Sequence, residues 1–370
     1  MSESKELFAS FRPVSKAEWI KKIEEDLKGK AYESLFWKTP DGLILEPIHH
    51  RDDRKGKLDF RFSAEKRSWL KRQNFRFENT AAALSKMKSL ADSSFDAIGF
   101  YFDRNAKAEE LDILIKEASK INLSLHLESK NPKLKETLLN WANSEPALAR
   151  RLKGSIGGEA ILSKAPDPAL SLSMPEMKQL LVNDFHNHRA PEDFISDISL
   201  TLKKLNALIQ CASKGGWSGD KIVEGLIIQL VAGPDFFREL ARLRALRMLA
   251  ANLILLHHPD TKNSDRFLLH AVVRCEAQED AYHGLLKGGT TALAMLVGTA
   301  DMLSIDSTAR SAELSAEEFQ RLSRNIQLIY EYEVKASRVT DPYGGSYYVE
   351  TLTEQIAGEA WSRFTQSLQS

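Results

Sequence analysis

Cysteine is nearly absent from this chain of 370 residues. The two present, Cys211 and Cys275, are too few and too far apart for a disulfide framework or a thiolate zinc site. A reducing cytoplasm is the compartment this usage leads us to expect. Charge of one sign is also missing in excess, since 51 basic side chains meet 51 acidic ones. Nothing in that balance calls for a nucleic-acid or anionic-membrane partner. Local basic clusters such as Lys66-Arg67 and Lys71-Arg72 read as solvated faces. No apolar run approaches the ~20 residues of a membrane span. The most apolar stretch, Met248 to Leu256, is broken by Asn252 and continues a helix with arginines upstream. Met1 to Glu6 carries no apolar segment of a secretory signal. A Gly-x-Ser-x-Gly elbow and a paired-cysteine redox motif are both lacking.

What is present is an alternation of strand and helix, which argues for a parallel sheet. Candidate strands are Trp69–Phe75, Asp96–Phe102, Ile121–Leu127, Leu152–Ile156, Gln179–Asn183, Leu226–Val231, Phe267–Val273 and Ala300–Ile305. The fourth is the weakest, because Gly154, Gly157 and Gly158 leave it little side chain to pack. Between them, Lys107–Ser119 places Leu111, Leu114, Ile115 and Ala118 on one stripe. Phe236–Leu256 does the same with Phe236, Leu240, Leu243, Leu246 and Ala250, leaving Arg238 and Arg242 for solvent. Eight strands over this length fit an α/β fold of the (β/α)8 TIM-barrel type. We divide the chain into an N-terminal arm, residues 1–68, and a barrel, residues 69–370, whose last helix buries Val349, Leu352, Ile356, Ala360, Trp361 and Phe364. The arm holds a helix at Lys16–Leu27 and the aromatics Phe8, Phe11, Trp19, Phe36 and Trp37, more than a linker needs. Covering the barrel's own bottom and meeting a partner are both open to them.

Two local patterns invite ligand readings. His186 and His188 form a His-x-His pair, but no third metal ligand lies nearby, so no metal site is expected. Lys287-Gly288-Gly289-Thr290-Thr291, ahead of a helical Ala292–Leu296, could offer N–H groups to a phosphate, but it is not a Walker motif, and a place within a helix before strand eight is the favoured reading.

The most informative string runs from Arg324 to Glu350: R-N-I-Q-L-I-Y-E-Y-E-V-K-A-S-R-V-T-D-P-Y-G-G-S-Y-Y-V-E. It resembles the end of the catalytic barrel in the methylmalonyl-CoA mutase family, where a helix with R-N-x-Q precedes D-P-x-G-G-S-x-Y-V-E. Gly233–Arg247 is similar to that family's F-F-x-E-x-A-K-L-R-A helix. Leu7-Phe8, Trp19, Asp26-Leu27-Lys28-Gly29 and Trp37-Lys38-Thr39-Pro40-Asp41-Gly42 resemble the arm of its small subunits. The likeness covers nearly the whole chain, strongest from about residue 226 and thinnest between residues 80 and 180. Within the final string, Gly344 and Gly345 are expected to supply backbone angles closed to other residues, with Asp341 capping nearby N–H groups.

The resemblance also marks departures. Where catalytic members read I-R-Q-Y-x-G at the end of the first strand, this chain reads Lys71-Arg72-Gln73-Asn74-Phe75, with Asn74 in the substrate-contacting tyrosine's place. Their T-S-G-W-S string at strand seven is replaced by His270 to Asp280. There His270, Arg274 and Glu276 read as solvated polar residues, a rebuilt hydrogen-bond network being the other reading. The arginine that holds the substrate carboxylate finds no match near Gly154–Gly158. Asp184-Phe185-His186 occupies the place of a G-Y-H string, so His186 is the one candidate to face an acyl-CoA thioester. Asp184, His186 and Arg189 begin like the cobalamin motif Asp-x-His-x-x-Gly but fail at Arg189. The resemblance therefore implies a small, non-catalytic subunit, its barrel portion without the C-terminal cobalamin-binding domain. Adenosylcobalamin would belong to the complex, with none expected on this chain alone. The partner would be a large catalytic mutase subunit in a heterodimer that interconverts methylmalonyl-CoA and succinyl-CoA, with self-association possible when the chain is alone. An active acyl-CoA mutase barrel served by a separate cobalamin-binding chain, and a CoA-ester-binding scaffold, are the alternatives.

Overall fold

The structure is a computed structural model that describes residues 12–53, 68–129, 131, 133–158, 166–182, 193–277, 280–309 and 314–369. Its frame is a ring of parallel strands. These are β1 (Leu70–Arg76), β2 (Ala97–Phe102), β3 (Ser124–Ser129) and β4 (Gly154–Gly157), then β5 in two pieces (Met177–Lys178 and Leu180–Val182), β6 (Leu226–Ala232), β7 (Leu268–Ala277) and β8 (Met302–Ala309). Each strand pairs with its sequence neighbours, and β8 returns to β1 through Met302↔Leu70 and Ser304↔Arg72. The two ends of this ladder are the two pieces of β5, separated only by Gln179, so the ring closes through the covalent chain. The expected (β/α)8 barrel is the observed one. β6 reads L-I-I-Q-L-V-A and is buried along its whole length, as a strand covered on both faces must be.

The weak fourth strand forms because its glycines let the backbones approach. Gly154 sits at φ +147°, and a Cβ there would lie 1.8 Å from the Leu125 carbonyl oxygen. The expected apolar stripes are buried: Leu111, Leu114, Ile115 and Ala118 on α3 (Ala108–Lys120), and Leu240, Leu243, Leu246 and Ala250 on α6 (Phe236–His257). In this numbering α1 is Lys16–Asp26, α2 is Thr80–Ala91, α4 is Lys133–Ser144 and α5 is Phe194–Lys214. Further on lie α7 (Ala281–Val297), α8 (Ala316–Tyr332) and α9 (Tyr347–Gln369). Short polar side chains start several of them; Ser315 and Glu318 form a reciprocal capping box at α8.

Three expectations need correction. Arg238 and Arg242 do not reach solvent: each is buried on α6. Arg238 pairs with Asp41 at 2.9 Å, and Arg242 pairs with Asp197 at 2.7 Å and Glu239 at 3.0 Å. A helix this fully covered has no wet face to give them, so each took a carboxylate inside instead. Lys71 and Arg72 are likewise buried, because β1 is a strand of the ring covered on both faces: Arg72 meets Glu128 in the lumen, and on the other face Lys71 pairs with Asp96 at 3.1 Å and Glu331 at 2.8 Å; Lys66 and Arg67 lie outside the described residues. Lys287 to Thr291 lies within α7, as the favoured reading has it, and its N–H groups are spent in the helix. Gly288 is there for packing, since a Cβ would come within 1.9 Å of Cys275 Sγ on β7. In the D-P-Y-G-G string only Gly345 is left-handed, at φ +87°. The Asp341 carboxylate does not cap an N–H there: it binds Arg244, and the Asp341 carbonyl accepts from Gly344 N–H.

Arg244 also reaches Glu350 at 2.8 Å. The string most typical of the family is therefore a clamp, with Asp341 and Glu350 gripping one arginine of α6. The arm is docked too. Its small hairpin, Trp37–Lys38 against Ile44–Leu45, brings Asp41 to Arg238 and sinks Leu43 and Leu45 into the core. Trp19 and Trp37 stay about half exposed, at 47% each.

Candidate functional site in the barrel lumen

Strand pleating sends alternate side chains inward. Lumens of this fold are ordinarily filled with Val, Ile and Leu. Here the middle layer is polar. Arg72 of β1 extends across the ring and donates to Glu128 Oε1 of β3 at 3.0 Å and to Asn74 Oδ1 at 2.7 Å. Both charged partners are fully buried. Gln229 of β6 donates to the same Glu128 oxygen at 3.1 Å. Its amide oxygen must then accept, so His270 Nδ1, 2.6 Å away, carries the proton. His270 Nε2 is left to accept from the Ser304 hydroxyl, which in turn accepts from Asn74 Nδ2 at 2.9 Å. On the β3–β4 side, His126 Nδ1 meets Ser155 Oγ at 2.8 Å.

This layer packs directly against β2. A Cβ added at Gly99 would lie 2.4 Å from Asn74 Oδ1 and 2.5 Å from Arg72 Nη2, so even a methyl group has no room. Above it, toward the C-terminal ends of the strands, Tyr101, Val231 and Val272 form an apolar lid. Beyond the lid, Arg274 and Asp306 stand opposite each other on β7 and β8. Asn74 Nδ2 lies 3.3 Å from Asp306 Oδ1.

Burial decides the protonation states. Desolvation, reinforced by the Arg72 charge, holds both His126 and His270 well below the usual imidazole range, so both are neutral. Desolvation pushes the Asp306 carboxyl up to about 6, with Arg72, Arg274 and the Asn74 hydrogen bond pulling the other way. Arg72 remains a cation, because guanidinium does not deprotonate in proteins.

Of the residues singled out from sequence, Asn74 and His270 come together in this layer and Arg274 stands at its mouth. His270 is fully buried. The reading of it as solvated is thus overturned, because its position on β7 points inward. The side chain of Glu276 lies outside the described residues, as do Asp184, His186, His188 and Arg189. Sequence reasoning missed Glu128, Gln229, His126, Ser155, Ser304 and Asp306. The signal was present: in S-L-H-L-E-S and M-L-S-I-D the polar residues alternate with apolar ones at period two. A polar stripe on a strand buried on both faces can only face the lumen. Among the described residues no group of three His, Cys, Asp or Glu could hold a metal ion, and no helix is long and apolar enough to cross a membrane.

Comparison with known proteins bears on the same residues. A family model described as methylmalonyl-CoA mutase matches residues 170–368, more than half of the chain. The methylmalonyl-CoA mutase small subunit of Porphyromonas gingivalis is 24% identical over 395 residues, covering 98% of this chain and 64% of that protein. The methylmalonyl-CoA mutase of Cereibacter sphaeroides is 22% identical, covering 93% of this chain and 57% of the relative. The human mitochondrial enzyme is 21% identical, with 92% and 53% covered. The chain thus spans between about half and two thirds of the length of these relatives. It belongs to the methylmalonyl-CoA mutase family.

Proposed function

We propose that this chain is a structural, non-catalytic subunit of an adenosylcobalamin-dependent methylmalonyl-CoA mutase, paired with a large catalytic subunit. The observation that carries the reading is the polar layer across the lumen. Arg72, Glu128, Gln229, His270, Ser304 and Asn74 are hydrogen-bonded to one another across the lumen, where an acyl-CoA mutase needs an open, dry substrate cavity. Opening it would leave Glu128 or Arg72 buried without a partner, a cost of about 3–5 kcal/mol that substrate binding would have to offset. In such an enzyme the cobalamin supplies the radical chemistry, and the protein supplies positioning. This chain's residues position a partner. The half-exposed Trp19 and Trp37 on a docked arm are the surface we assign to that contact, since tryptophan is enriched at the centres of interfaces.

Co-expression with a catalytic mutase subunit tests this. A stable pair should form at micromolar concentration, and Trp19→Ser with Trp37→Ser should weaken it at least about tenfold while leaving the fold intact. The pure chain should not isomerise methylmalonyl-CoA with adenosylcobalamin and a separate cobalamin-binding chain added. Turnover in that assay, or a pair that runs as two species, removes the proposal.

A further inference from the structure

A cleft of about 630 Å³ opens on the N-terminal face of the barrel, between the end of α3 and the entry to β4. That lies within the ~300–1,000 Å³ typical of small-molecule sites. Its floor is apolar, built from Leu123, Leu148 and Leu152. Its rim carries Lys116, Lys120, Arg151 and Lys153, and no carboxylate is among the described residues that line it. The acids nearby are already engaged. Asp112 and Glu145 hold Lys116 at 2.9 and 3.5 Å, and Glu117 reaches Lys120 at 3.4 Å. Arg151 and Lys153 are exposed and bracket the buried Leu152, so both project from the same short segment. That segment is fixed to the sheet, because Leu125 N–H donates to the Lys153 carbonyl at 2.8 Å. Lys116 and Lys120 are paired with those acids, so the rim cations left to meet a ligand are Arg151 and Lys153.

We propose that this cleft binds a small organic phosphate, its phosphate held between Arg151 and Lys153 and its ring or aliphatic body laid on Leu123, Leu148 and Leu152. The guanidinium fork matches two phosphate oxygens at once, and the lysine adds a mobile point charge. The leucines give the ligand's body a place to leave water, which inorganic phosphate alone cannot use. The N-terminal face of a barrel is the face that does not carry chemistry, so the site binds without reacting. It does not depend on the subunit reading above and stands or falls separately.

The test is calorimetric titration of the full chain with ADP and with inorganic pyrophosphate. ADP should bind saturably and at least about threefold more tightly than pyrophosphate, the margin expected from burying part of its ring. Affinity should fall as salt rises, because exposed charges are screened. Arg151→Glu with Lys153→Glu should lose about tenfold or more, as should the milder Arg151→Gln with Lys153→Gln, both keeping the wild-type melting temperature because the side chains are exposed. No saturable binding of either probe, or equal binding by the variants, overturns the site. Pyrophosphate binding as tightly as ADP overturns the organic ligand.

Discussion

The two halves of the barrel are held together differently. The first half, β1 to β4 with α2 to α4, packs on an apolar core that includes Phe75, Leu90, Leu114, Leu125 and Trp141. Its helix ion pairs, such as Arg104–Glu110 and Lys116–Asp112, sit at the surface. The second half, β6 to β8 with α5 to α9, has a larger apolar core and, threaded through it, four buried arginines on α6. Arg238 takes Asp41, Arg242 takes Asp197 and Glu239, Arg244 takes Asp341 and Glu350, and Arg247 takes Asp301 with the carbonyls of Phe267 and Thr299. An apolar core accepts many sequences of similar volume. A buried ion pair accepts few, because losing either partner strands a charge. The first half also holds a fully buried pair, Arg72–Glu128, but in the lumen and not in its helix packing.

The strongest way to break this comparison is Arg242→Ala. It would leave Glu239 fully buried, its carboxyl already pushed upward by desolvation and held down mainly by Arg242. We expect a loss of about 3–5 kcal/mol in urea denaturation. A loss below about 1 kcal/mol would mean that the arginines of α6 are no more directional than a surface pair. Removal of apolar volume should not distinguish the halves. Leu114→Ala and Leu243→Ala, each at a fully buried site, should both cost about 2–5 kcal/mol.

The same contrast explains what the sequence reveals. Strand positions, the stripes of α3 and α6 and the terminal helix followed from apolar periodicity, because period is set by backbone geometry. The partners of charged residues did not. Arg242 and Asp197 are 45 residues apart, and Arg72 and Glu128 are 56 apart, so no local pattern joins them. Arg238 and Arg242 looked solvent-facing because charge usually is; the tertiary fold placed carboxylates against them instead. The family string at Asp341–Glu350 was recognised for its letters, while its role as a clamp on Arg244 needed the fold.

A smaller effect sharpens the account of the lumen. With its pKa up at about 6, Asp306 keeps a proton in the folded chain at pH values where the unfolded chain, near 3.8, has lost it. Its ionisation therefore costs stability as pH rises from about 4 to 7. Asp306→Asn should be more stable than wild type at pH 7 by about 1–2 kcal/mol, a figure reduced for the partly solvated mouth, and the difference should vanish near pH 4. His126 and His270 act in the opposite sense. Their folded pKa values lie well below 6.5, so below about pH 6.5 the unfolded chain takes up protons that the folded one refuses, and stability falls. Denaturant midpoints at four or five pH values separate these slopes. An unchanged pH profile in Asp306→Asn would place that carboxyl in ordinary solvent.

The smallest expected effect completes the contrast, because it uses the same residue type with the same kind of partner. Arg104 meets Glu110 through two guanidinium nitrogens, as Arg244 meets its two carboxylates, but its side chain is 46% exposed where that of Arg244 is 4% exposed. Water competes for both ends of the Arg104 pair, and salt screens what remains. Arg104 also lies over the Phe77 ring at 5.4 Å, a contact that survives partial hydration but contributes little at an exposed site. Arg104→Ala should therefore cost only about 0.2–1 kcal/mol, and less at high salt. Arg244→Ala, which strands Asp341 and Glu350 beneath the turn at Gly345, should cost several times more and respond weakly to salt. Equal losses in the two variants, measured side by side in low and high salt, would show that burial is not what separates the halves.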